Sequence, residues 1–172
     1  PSFFGGPAMT PDPTFPAVPD WDWLVASFPE GSSLRMGAGL DRAALHCRGR
    51  LVYLATPYSR LVTDANGCWR GDYSRFVATL AALEARRLAQ AGITAISPIS
   101  LACAMVHAGG AKGLDPLDQA FWTRWCRPLL NRCEIVVVPP LQGWRASDGV
   151  WHEVTEALRA SKPVFLIAEG GT

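Results

Sequence analysis

Short runs of consecutive apolar residues alternate along the chain with longer stretches in which apolar residues recur every three or four positions. The short runs are Leu51-Val52-Tyr53-Leu54-Ala55, Ile93-Thr94-Ala95-Ile96, Ile135-Val136-Val137-Val138 and Val164-Phe165-Leu166-Ile167. Each is brief and continuously apolar, the pattern of a strand buried on both faces. Between them, Phe76, Val77, Leu80, Leu83 and Leu88 predict a helix, with Gly92 fitting the position just past its end. Before it, Asn66-Gly67 and Gly71-Asp72 read as turns of a loop. Asp115-Pro116 predicts the cap and first residue of another helix, which carries Phe121, Trp122, Trp125, Leu129 and Leu130 and is kinked or divided at Pro128. A last helix is predicted over 149–161, with Val150, Val154, Ala157 and Leu158 as its inward stripe.

Strands alternating with helices imply right-handed βαβ units, hence an α/β fold with a parallel sheet of four to five strands and helices on both faces. Regular structure is expected to begin near Arg50. Residues 1–20 hold six prolines and read as a flexible or surface-draped arm. Residues 21–49 read as an extension packing on the body: Trp21, Trp23, Leu24 and Phe28 fit a short helix, and Gly31 to Gly39 reads as loop. Residues 50–172 form the expected catalytic or binding domain.

The 172 residues are 49% apolar and 18% charged, a globular composition. The 16 basic and 15 acidic residues nearly cancel, which excludes the broad basic face of a nucleic-acid polymer binder. No apolar run reaches a membrane-span length of about 18 residues, and the start lacks the basic region of a signal peptide. Five cysteines, odd in number and never spaced C-x-x-C, read as reduced thiols of a cytoplasmic protein. With three scattered histidines they form no metal pattern, and no metal or organic cofactor is implied.

Ligands of parallel α/β sheets sit beyond the carboxyl ends of the strands, so the loops after Ala55, Ile96 and Val138 are where chemistry is expected. In the third loop, Ser147 is placed to cap the last helix, and Gly149 lets the backbone approach a ligand. The free N–H groups of that helix's first turn suit an anion. Glu153 falls at the border of the inward stripe, where a carboxylate could act as nucleophile or general base. An ordinary surface glutamate of an amphipathic helix has the same spacing. Tyr53 is the one polar-tipped residue of its strand: it either orients a carboxylate or is a core tyrosine satisfied by backbone. Ser59 and Arg60 fit an anion or a plain solvated loop. The Phe121–Trp125 cluster fits core or a dimer interface better than base stacking. His107 reads as a loop histidine, and His152 points about 100° away from Glu153. The segment 109–113 lacks a phosphate-loop pattern.

Taken together, Tyr53-x-Ala55-x-Pro57-Tyr58-Ser59, then Ile96-Ser97-Pro98, then Gly143-Trp144-x-x-Ser147-x-Gly149-x-x-x-Glu153 resembles the nucleoside 2-deoxyribosyltransferase superfamily, including its 2′-deoxynucleoside 5′-monophosphate N-hydrolases. The resemblance covers about residues 50–168. It implies a flavodoxin-like (Rossmann-like) three-layer sandwich and cleavage of an N-glycosidic bond by hydrolysis or base transfer. Glu153 is then the nucleophile and Tyr53 its orienter. Ser147 stands where the transferases carry Asp and the monophosphate hydrolases Ser, which implies a nucleotide substrate; the adjacent Asp148 works against that. Gly143, Trp144, Gly149, Pro57, Ser59, Arg60, Ser97, Pro98 and Cys126 are the further expected substrate-binding positions. Cys126 departs from the pattern, standing where the superfamily usually places an Asp that assists the departing base. Asp115 or Asp118 is the available substitute. Without one, the chain is a slow enzyme, an enzyme with a different leaving group, or a nucleotide-binding or sensing module with little or no turnover. A third reading is an interaction protein that docks a partner through its tryptophans and proline-rich arm. The resemblance also implies a homodimer or larger homo-oligomer.

Overall fold

In a computed structural model, residues 14–29, 32–109 and 113–168 are described. Five strands, β1 (Leu34–Ala38), β2 (Leu51–Leu54), β3 (Thr94–Ile96), β4 (Ile135–Val138) and β5 (Val164–Ile167), form one sheet in the order β1-β5-β4-β2-β3. All neighbours are parallel, with Tyr53 beside both Ile96 and Val136. Six helices accompany them: α1 (Trp21–Ser27), α2 (Leu40–Cys47), α3 (Gly71–Gln90), α4 (Pro98–Ala108), α5 (Gln119–Arg132) and α6 (Asp148–Arg159). The architecture is the flavodoxin-like three-layer sandwich.

The strands alternate their side chains between two apolar layers. On one face Tyr53, Ala55, Val136, Val138 and Leu166 pack with Leu130 of α5 and Val150, Val154 and Leu158 of α6. On the other, Val52, Leu54, Ile135, Val137 and Phe165 pack with Ala43, Ala44 and Cys47 of α2 and Leu88 of α3. Both faces of the central strands are covered, as their continuous apolar runs require.

Five features differ from the sequence reading. Regular structure begins well before Arg50, and the expected loop from Gly31 to Gly39 contains β1, an edge strand pairing Leu34 with Val164 and Arg35 with Phe165. Its register shifts before Ala38, where Gly37 takes φ +59°, a conformation L side chains rarely adopt. Helices α2 and α4 were not expected. Gly71-Asp72 opens α3 instead of ending a loop. Asp115-Pro116 does not open α5. The Asp115 side chain accepts from the Leu117 backbone N–H, forming a turn, and Asp118 caps the helix by accepting from the Phe121 N–H at 2.9 Å. Pro128 does not divide α5; it lies on the exposed side together with Arg124, whose carbonyl loses its partner where water is available.

Of the proline-rich residues, 1–13 lie outside the described region. Phe15 is buried against Trp23 and Phe28, and the Pro16 carbonyl accepts from the Trp151 indole N–H at 3.0 Å. Among the described residues, no helix is long and apolar enough to cross a membrane.

Candidate active site

β2 is flanked by β4 on one side and β3 on the other, so the chain reverses its direction of winding between β2 and β4. This is the place where parallel sheets open a crevice. A cleft of about 310 Å³ lies there, walled by the loop after β2, α4, α5 and the start of α6.

The wall formed by α6 follows from local sequence. Pro139-Pro140 ends β4, and Gly143 at φ +83° lets the loop turn into a single 3₁₀ turn, Trp144–Ala146. Ser147 then caps α6 by accepting from the Val150 N–H at 3.3 Å. A Cβ on Gly149 would meet nothing nearer than the Ser147 hydroxyl at 3.8 Å, so the backbone there is open to the cleft.

The inner end of the cleft holds the chemically distinctive group. Tyr53, fully buried, donates its hydroxyl hydrogen to Glu153 Oε1 at 2.5 Å. Burial pushes the Glu153 carboxyl up from about 4.5 to about 8, against the opposing pull of the Tyr53 hydrogen bond. The phenol is pushed far above its ordinary range, first by burial and then by the charge of Glu153, so it remains a proton donor. Cys126 of α5 lies beside this pair, its thiol pushed up to about 11 by burial and by Glu153. The arrangement is a carboxyl with a fixed hydrogen-bond donor and an open face toward the cleft.

The outer rim carries Ser59, Arg60, Ser147 and Asp148. Arg60 Nη2 pairs with Asp148 Oδ2 at 3.0 Å, with both side chains more than 60% exposed. Arg127 of α5 lines the cleft and has no ion pair among the described residues. Trp122 also lines the cleft, its indole N–H donating to the Asp115 carbonyl. Of the Phe121–Trp125 cluster, Trp122 is thus placed where a ligand could reach it. His152 lines the cleft as well.

Seven expected site residues thus converge: Tyr53, Glu153 and Cys126 at the inner end, and Ser59, Arg60, Ser147 and Gly149 toward the rim. Five do not line the cleft. Pro57 is buried. Ser97 caps α4, accepting from the Ser100 N–H, and Pro98 is the first residue of that helix. Gly143 supplies the turn, its Cα facing Leu61. Trp144 is buried edge-on to Trp21 at 4.6 Å, next to the Arg145 carbonyl that accepts from the Trp21 indole N–H at 2.7 Å. Trp144 and the Arg145 carbonyl therefore anchor α1. Asp115 and Asp118 are engaged in their turn and cap and do not line the cleft.

Two features went unexpected. Thr56, just past β2, lines the cleft, and its buried hydroxyl has no hydrogen-bond partner among the described residues. Tyr58 OH accepts from the Trp69 indole N–H at 3.0 Å and shares a hydrogen bond with Ser74, which also meets His107 Nε2 at 3.0 Å. This network ties the loop after β2 to α3 and α4. His107 belongs to α4 and not to a loop. No spacing in the sequence signals a network whose members lie on three separate elements. The expected segment 109–113 falls mostly outside the described residues. Among the described residues, no group of three or more His, Cys, Asp or Glu could hold a metal ion.

Residues 50–169 match the model of a family described as a domain of unknown function (DUF1937), and the chain belongs to that family. No curated protein matches the chain. No solved structure matches it.

Proposed function

We propose that this family member cleaves the N-glycosidic bond of a 2′-deoxynucleoside 5′-monophosphate or related nucleotide, by hydrolysis or base transfer. The observation that carries the reading is the Tyr53–Glu153 hydrogen bond at the inner end of a cleft at the sheet's switch point. A Glu153 carboxylate oxygen bonds to C1′ of the sugar as the C1′–N bond breaks. The base leaves with the electron pair and takes up a proton. Water or a second base then attacks C1′ and frees Glu153, so configuration is retained overall.

Tyr53 donates to one carboxylate oxygen and leaves the other for attack. Only the ionised carboxyl is nucleophilic, so kcat/KM rises with pH through about 8. Ser147, the first turn of α6 and Ser59 suit a 5′-phosphate. Arg60 joins them by exchanging Asp148, an exposed partner worth at most about 1 kcal/mol, for the phosphate. Trp122 offers the base an aromatic edge or face from α5. A homo-oligomer remains part of this reading, tested by solution mass.

Cys126 favours a second reading, a nucleotide sensor. A thiol at about 11 is a poor proton donor to a leaving base. Loss of general-acid help typically costs about 10²–10⁴-fold in rate.

The test is chromatographic, with nucleosides and 5′-monophosphates, ribo and deoxy, with and without acceptor base. Base release or exchange by the wild type and not by Glu153→Ala supports the enzyme. Nucleotide-induced stabilisation without turnover favours the sensor. If neither turnover nor nucleotide-induced stabilisation is seen, both readings are overturned.

A further inference from the structure

We infer that the Thr56 side-chain hydroxyl reads the sugar, hydrogen-bonding the 3′-hydroxyl of the bound 2′-deoxynucleotide. The inference rests on the nucleotide reading above and deepens it.

Five polar residues of the described chain are buried: Thr56, Ser74, Ser97, Ser147 and Thr155. Four have partners. Ser74 meets Tyr58 and His107, Ser97 meets Ser100, Ser147 accepts from the Val150 N–H, and Thr155 donates to the His152 carbonyl. Thr56, only 5% exposed, has none among the described residues, and it lines the cleft just past the end of β2. A buried hydroxyl without a partner destabilises the free protein, and valine would fill the same space without that cost. The hydroxyl is therefore explained by something that enters the cleft.

The chemistry of the ligand narrows the partner. The 5′ group belongs to the rim at Ser147, and C1′ must face Glu153 at the inner end. A 2′-deoxyribose so held has one free hydroxyl left, at C3′. Like threonine's, it both donates and accepts, so the pair needs no particular protonation state. Tyr53 lies in β2 and Thr56 two residues past its end, so one end of one strand would position both the nucleophile and the ring it attacks.

The test uses uncleavable probes: C-linked 2′-deoxynucleoside 5′-monophosphates, with uracil-like and adenine-like bases, and their 3′-deoxy counterparts. Affinities are measured by calorimetry for wild type, Thr56→Val and Thr56→Ser, with melting temperatures of the free proteins alongside. The wild type is expected to bind the 3′-hydroxyl form about tenfold more tightly than the 3′-deoxy form, the usual yield of one net hydrogen bond. Thr56→Val loses that preference and melts at or above the wild type without ligand. Thr56→Ser keeps the preference. A Thr56→Val protein that still discriminates, or that melts lower when free, overturns the inference and leaves the nucleotide reading intact. A wild type that binds none of the probes overturns both.

Discussion

The two faces of the sheet are made by the same strands and differ in what they tolerate. On the α2–α3 face, Val52, Leu54, Ile135, Val137 and Phe165 pack into an apolar cluster, with His46 and Arg35 reaching only the Phe165 ring. On the α5–α6 face, the next residue of the same strand, Tyr53, sends a phenol to the edge of the core, where it meets a carboxyl. On one face the strand side chains are buried with no polar group of their own. The other holds an ionisable group where its charged form is disfavoured, and it relieves that cost with a single hydrogen bond. Stability and candidate chemistry are thus divided across one sheet, residue by residue along β2.

The largest effect expected from probing this division is on the apolar face. Leu54→Ala should lower the unfolding free energy by about 2–5 kcal/mol in urea titrations. The Glu153 titration, followed by carboxyl carbon NMR, should stay at about 8. A shifted titration would show that the faces are coupled.

Next comes the pH dependence of stability. The folded protein keeps the Glu153 proton up to about 8, whereas the unfolded chain releases it near 4.5. The unfolded state therefore binds fewer protons in that window, and this group's contribution to stability falls as pH rises through it. Urea midpoints at pH 5 and pH 9 should fall more for the wild type than for Glu153→Gln. Equal falls would mean that the carboxyl titrates at its ordinary value.

Tyr53→Phe keeps the packing and removes the donor. The Glu153 titration should move further up, and kcat/KM at neutral pH should fall about 10- to 100-fold, the value of one hydrogen bond to a charged group. The smallest effect belongs to the rim. Asp148→Asn should change stability by no more than about 1 kcal/mol, because its pair with Arg60 is exposed. It should also favour 5′-monophosphates over nucleosides, since it removes a competing negative charge.

The central strands were readable because burial on both sides demands uninterrupted apolar runs. β1 was not, because an edge strand of Leu-Arg-Met-Gly-Ala needs no such run and contains a glycine kink. Two residue pairs show how local chemistry misleads. Ser97-Pro98 reads as the end of a strand and is also the start of α4, whose mostly apolar sequence shows no clear helical stripe. Asp115-Pro116 carries the same start signal and forms a turn, because Asp118 supplies a competing cap nearer the helical stretch. In the site, Glu153 and Ser147 were legible from one strand–helix junction. Thr56 was not: its distinguishing property is the absence of a partner, which exists only once everything around it has folded. Trp144 misled for the opposite reason, since a tryptophan beside a ligand loop and one that pins a neighbouring helix look alike in sequence.

The pairing of β1 with β5 also sets a timetable. Leu34 lies beside Val164, about 130 residues later in the chain. At translation rates of about 5–20 residues per second, the first strand waits on the order of ten seconds for its partner to be made. Trp21 waits nearly as long for Trp144 and Trp151. During that interval the apolar side chains of the leading segment have no native surface to cover, so the nascent chain depends on whatever shields it until the last strand arrives.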